Sequence, residues 1–195
     1  MADDLPLLTF RNAAAFEAWL AEQPHDAPGC WVLFAKKGAP EATVDKDEAI
    51  DCALIHGWVD SQIGRVDEHY FKTRFTPRKP KSIWSQLNRD RIARLEAAGR
   101  MAPAGMAQVE LAKADGRWDA AYASASRAEP CAELIAALAA APDAKAMFEG
   151  LDGANRYAVL WRIDQTKTPA KRAAKIAEMV AKLARGELFH PPRKT

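Results

Sequence analysis

The residues whose types could do chemistry crowd into one stretch, Gly57 to Asn88, GWVDSQIGRVDEHYFKTRFTPRKPKSIWSQLN. Asp60 stands beside Ser61, Trp58 and Trp84 flank a run holding Lys72, Arg74, Arg78, Lys79 and Lys81, and Asn88 closes it. The Asp-Ser pair invites a base and nucleophile reading, but neighbours in a strand point to opposite faces, so the two cannot serve one reacting atom. No G-x-S-x-G elbow, H-E-x-x-H, glycine-rich phosphate loop or dinucleotide fingerprint occurs, so no catalytic residue and no cofactor is assigned. Asp60 serves better as an acceptor that orients Arg74 or Arg78, because a guanidinium can hold a carboxylate on one side and offer its remaining donors to an anion. A helix beginning near Ser82, after Arg78 and two lysines, would add free backbone N–H groups and a positive dipole end. These parts specify a pocket for a small anion. Asp60 orients, Arg78 and the Ser82 helix start hold the ligand, Asn88 fixes ligand or loop, Trp58 and Trp84 form walls, and Arg74 and Lys37 stand behind. A cross-strand ion pair with an ordinary capped helix would use the same residue types.

The elements that position this stretch follow from periodicity. Asn12 can cap a first helix whose Phe16, Trp19 and Leu20 share one face, and the apolar run Cys30 to Ala35 reads as a buried strand ending at Lys36 and Lys37. Asp45 with Glu48 resembles a capping box, and the helix it opens ends at Gly57. Trp58 to Ile63 and Tyr70 to Thr76 form a β-hairpin whose loop length leaves the register open, so that Asp60 faces either Thr73 or Arg74. After the Pro77 to Lys81 turn, Ser82 or Ser85 caps a helix running to about Ala98, with Trp84, Asn88, Ile92 and Leu95 on one stripe. Asn88 is the polar exception on that stripe. Beyond residue 130 the pattern is helical throughout, and Thr168-Pro169 opens the clearest amphipathic helix, which stops before Gly186. The expected fold is therefore α+β: a small, mainly antiparallel sheet with helices over residues 1–118, a linker over 119–130 and an all-helical module over 131–195.

Charge and cysteine usage narrow the function classes. The 195-residue chain carries a net charge of +2, but residues 1–71 sum to −8 and residues 72–94 to +7. Local basic zones in an otherwise acidic chain suit a local anion site more than a basic coat for nucleic acid. Nucleic-acid binding through 72–94, with Tyr70, Phe71, Phe75 and Trp84 as stacking partners, is the alternative reading; a helical protein-interaction module is a second. The three cysteines, Cys30, Cys52 and Cys131, lie far apart without C-x-x-C spacing and read as buried small hydrophobes. Cys52 and His56 share a helix face at i, i+4, yet no second ligand pair accompanies them, so no metal is expected. The first residues, MADDLPLLTF, lack the basic and apolar regions of a signal sequence, and no stretch is long and apolar enough to span a membrane. The expected location is the cytoplasm.

An ordered set of motifs resembles a bacterial family, the YdeI/OmpD-associated or bacteriocin-protection proteins. The motifs are W-L at Trp19-Leu20, W-V-L-F-A-K-K from Trp31, E-A-I-D-C-A-L-I-H-G-W-V-D-S from Glu48, F-T-P-R from Phe75, S-I-W-S-Q-L-N from Ser82 and G-R-M from Gly99. Further on, N-R-Y at Asn155 to Tyr157 and T-P-A-K-R from Thr168 resemble that family's C-terminal helical region. The resemblance implies protection against bacteriocins or a related stress, and it brings no catalytic residues with it.

Overall fold

The computed structural model describes residues 5–191, which divide between Ala121 and Tyr122 into two compact units. The first unit is α+β and the second is all-helical.

In the first unit Asn12 caps helix α1 (Ala13–Ala21), its Oδ1 accepting from the Ala15 N–H at 3.0 Å. Asp45 caps α2 (Lys46–Ile55) and accepts from the N–H groups of Asp47 and Glu48, which supplies acceptors for donors that a helix start leaves unpaired. Strands β2 (Cys30–Ala35), β3 (Trp58–Arg65) and β4 (Tyr70–Pro77) form an antiparallel set, and the short β1 (Leu7–Leu8) adds a parallel edge, giving the order β1-β2-β4-β3. Every second residue of β2 and β4 faces the helices: Cys30, Val32 and Phe34 lie opposite Phe75, Thr73 and Phe71. With Phe16 and Leu20 of α1 and with Trp58 they close a core in which the Phe16, Phe34 and Phe75 side chains are essentially inaccessible.

The hairpin register places Asp60 opposite Phe75, and the pairing slips between Asp60 and Ile63, where a bulge lengthens β3. Neither register expected from the sequence, Thr73 or Arg74, is adopted. Burial of Trp58 and Phe75 on the helix face fixes the pairing there, and the bulge takes up the mismatch toward the exposed end.

Two helices complete this unit. Helix α3 (Gln86–Ala97) is capped by Ser85, whose Oγ accepts from the Asn88 N–H at 3.1 Å. Helix α4 (Pro103–Ala114) crosses the end of α2 so closely that a Cβ on Gly105 would stand 2.2 Å from the Ile55 carbonyl oxygen. Trp84, Ile92, Leu95 and Val109 form a second core with Leu54 and Ile55.

The second unit contains α5 (Ala132–Ala139), α6 (Pro142–Glu149), α7 (Gly153–Asp164) and α8 (Pro169–Ala184) around Leu134, Phe148, Val159, Ile163, Ile176 and Met179. Thr168 caps α8 as its sequence indicates, with Pro169 in the first turn, where the missing N–H costs nothing. Among the described residues no helix is long and apolar enough to cross a membrane.

Candidate functional site

The first site element is the turn between α2 and β3. Gly57 adopts φ +76°, a conformation that strains other residues, and a Cβ there would stand 2.9 Å from the Ala104 carbonyl oxygen of α4. This turn leaves the Gly57 carbonyl free to accept the backbone N–H of Arg78 at 2.9 Å, which joins the start of β3 to the chain leaving β4.

Arg78 is only 6% exposed. Its guanidinium carbon lies 3.5 Å from the centre of the Trp84 ring, and its Nη1 donates to the Ile83 carbonyl at 3.2 Å. Trp84, itself buried, meets Trp118 edge to face at 5.0 Å. Of the residues expected to bind ligand, Arg78, Trp84 and Ser82 are thus brought into one loop. Ser82 closes the turn at Pro80 by accepting the Lys79 N–H at 2.9 Å, and its carbonyl accepts from Arg117. The helix start lies at Ser85, three residues beyond Ser82; Ile83 and Trp84 precede it outside any regular element, with Trp84 buried in the core. Asn88 is half-buried in the first turn of α3.

Asp60 is not part of this loop. It lies on β3, opposite Phe75 in the sheet. Arg74 points to the other face, opposite Trp31, as alternation requires. Lys37 is exposed in the turn after β2, and its neighbour Lys36 is the residue that reaches the hairpin loop, donating to the Asp67 carbonyl at 2.6 Å.

Part of the basic run is engaged within the unit. Arg91 bonds Asp51 at 3.0 Å and also Asp47, Arg94 bonds the other oxygen of Asp51 at 2.6 Å, and Arg100 bonds Glu17 at 2.7 Å. Arg89 donates to the Trp118 carbonyl, and Lys72 lies 4.5 Å over the Trp31 ring. Arg91 and Arg94 of the basic run thus pair with Asp47 and Asp51 of the acidic segment, across α2 and α3.

A cleft of about 120 Å³ opens where α1, the Gly57 turn, the end of β4 and α4 meet. Its lining includes Gln23, His25, His56, Trp58, Arg78 and Gln108. Water occupies about 30 Å³ per molecule, so the cleft suits a group of only a few non-hydrogen atoms. Burial holds the His56 imidazole below its usual pKa, with the carboxylate of Glu17 pulling the other way. A neutral imidazole presents one donor and one acceptor, and the two carboxamides add further donors beside the cationic Arg78. Two residues singled out by sequence, Trp58 and Arg78, therefore sit on the cleft, joined by Gln23, His25 and Gln108, which sequence reading passed over. His25 follows a helix-ending proline, and nothing near Gln108 distinguishes it from the outer face of an ordinary helix.

The cysteines lie apart from this chemistry. Burial raises the thiols of Cys30 and Cys52 to about 12, and Cys52 additionally faces Glu17.

Residues 8–108 match a family model described as a domain of unknown function, DUF8412, and residues 128–186 match a second, described as Bacteriocin-protection, YdeI or OmpD-Associated. The second match contains the N-R-Y and T-P-A-K-R motifs, whereas the motifs from Trp19 to Met101 lie inside the first. No curated protein and no solved structure matches the chain.

Proposed function

For this chain, which belongs to the family of the domain of unknown function DUF8412 and carries a YdeI/OmpD-associated helical region, we propose a role in bacteriocin or stress protection, exercised in the cytoplasm through a small anionic ligand held by the first unit. The observation that carries the ligand reading is the cleft itself, where Arg78 and Trp58 stand with two imidazoles and two carboxamides around a space of about 120 Å³. Such a lining supplies donors and one cation, and its size selects an inorganic oxyanion or a short carboxylate over a nucleotide. Of the residues named from sequence, Arg78 and Trp58 act at the cleft, Trp84 supports Arg78 through the ring stack, and Ser82 closes the turn that follows it.

Two other readings have narrower support. Nucleic-acid binding through 72–94 would have to recruit Arg89, Arg91 and Arg94 from contacts they already make. A protein-interaction role draws on an apolar groove of about 480 Å³ along α8, lined by Ala137, Ile176, Val180 and neighbouring alanines.

The protective role is tested by bacteriocin challenge of a strain lacking the protein, complemented with wild type or with the double variant His25→Ala, Gln108→Ala. Restoration by wild type and not by the variant supports the reading. Equal restoration by both removes the cleft from it, and no restoration by either removes the protective role.

A further inference from the structure

Lys72 and Arg74 stand on the face of the sheet turned away from α1 and α2. Alternation puts them there: Phe71, Thr73 and Phe75 of β4 face the helices, so the residues between them face outward, opposite Leu33 and Trp31 of β2. On its other side Trp31 pairs with Leu7 of β1, which is 48% exposed. A tryptophan on an outward sheet face can keep its N–H in water, yet Trp31 is only 6% exposed. Lys72 Nζ lies 4.5 Å over its ring. Strand β3 leaves room for the lysine at Gly64, its register partner, where a Cβ would stand 3.2 Å from Lys72 Cε.

Two donors of this one cross-strand pair, Nε1 of Trp31 and Nε of Arg74, are buried without a hydrogen-bond acceptor among the described residues. Burying a donor unpaired is unfavourable, so two in adjacent side chains call for an acceptor from elsewhere. Arg91, Arg94 and Arg100 each meet a carboxylate, whereas among the described residues no ion pair engages Lys72 or Arg74. Lysine, arginine and tryptophan side chains donate and do not accept. The set therefore suits a ligand that accepts only and answers two positive charges. A phosphate monoester has three acceptor oxygens and a charge of about −1.5 to −2 at pH 7.

We propose that Trp31, Lys72 and Arg74 form a second binding site, separate from the cleft beside Gly57, for the phosphate of a small monoester. Leu7 and Leu33, on the same face, provide apolar ground for the esterified group. Neither cation is held by a carboxylate, so both turn onto the phosphate by changes of rotamer, and the movement of Lys72 opens the indole N–H to it. Arg74 takes the outer oxygens with its planar fork, and Lys72 adds a point charge.

The test uses the ¹⁵N-labelled full chain at pH 7, in which the Trp31 indole N–H, assigned by its loss in Trp31→Phe, and the Arg74 Nε–H report on the two buried donors directly. Phenyl phosphate and inorganic phosphate are titrated separately, with sodium chloride of equal ionic strength as the control. The expected result is a saturable shift of both resonances with phenyl phosphate, with affinity at least tenfold weaker in Arg74→Gln and in Lys72→Gln, each checked for folding by circular dichroism. The shifts should persist in the His25→Ala, Gln108→Ala variant of the cleft. The wild-type titration is decisive by itself: no saturable shift of the indole N–H with phenyl phosphate, or the same shift with chloride, overturns the proposal. Undiminished affinity in either folded charge variant, or loss of the shifts in the cleft variant, overturns it as well. Saturation by inorganic phosphate alone overturns the assignment to a monoester.

Discussion

Arg78 stacks on Trp84, its guanidinium carbon 3.5 Å from the indole ring centre, and the same residue forms part of the wall of the cleft. It therefore has two functions at once. Its backbone N–H secures the Gly57 turn and its Nη1 holds the Ile83 carbonyl, so the loop that carries Ser82 and Trp84 depends on it.

Replacing Arg78 by alanine removes the stack and the hydrogen bond to Ile83, and the expected loss is about 2 kcal/mol of unfolding free energy. Arg78→Lys retains a charge but not the planar group, and it should lose about half as much. Urea titrations of both variants check this. An Arg78→Ala protein as stable as wild type would remove the tethering role.

Asp51 receives Arg91 and Arg94 on its two oxygens, with the Asp51 and Arg91 side chains only 15% and 14% exposed. Asp51→Asn leaves a buried guanidinium short of its counter-charge and should cost about 3 kcal/mol. Asp47 meets the same Arg91 but is 77% exposed, so Asp47→Asn should cost less than about 1 kcal/mol. A double-mutant cycle with Arg91 separates the two couplings. Equal effects at Asp47 and Asp51 would contradict the ranking by burial.

The helix boundaries were legible because their causes are local. Asn12, Asp45 and Thr168 each stand one residue before a helix and cap it through their own side chains. The ambiguity between Ser82 and Ser85 was settled by the burial of Trp84, a long-range effect. The two-residue strand β1 carries no periodic signal, and the hairpin register depends on a bulge that residue types do not announce. The cleft was only partly visible for a related reason: Trp58 and Arg78 belong to the suspicious stretch, whereas Gln23, His25 and Gln108 arrive from segments far away in the chain. The charge contrast between residues 1–71 and 72–94 was visible at once. That Arg91 and Arg94 meet Asp47 and Asp51 across α2 and α3 required the fold.

His56 supplies a pH signature. Burial depresses its folded-state pKa below the ordinary value of 6.5, so the unfolded chain takes up the proton first as pH falls. Its contribution to stability is complete above about pH 6.5 and declines as the pH drops toward the folded-state pKa. In chemical denaturation between pH 7.5 and about 5, wild type should lose more stability than His56→Gln does. Parallel pH profiles would show that the imidazole is not held neutral by the fold.

Anion binding at the cleft is tested most directly by nuclear magnetic resonance of the ¹⁵N-labelled full chain, with sodium phosphate and sodium acetate as separate titrants. The predicted result is saturable shifts at the His25 and His56 rings and the Gln23 and Gln108 side-chain amides for at least one of the two, lost in the His25→Ala, Gln108→Ala variant. Shifts that never saturate, or that persist unchanged in that variant, would contradict an anion site at this cleft.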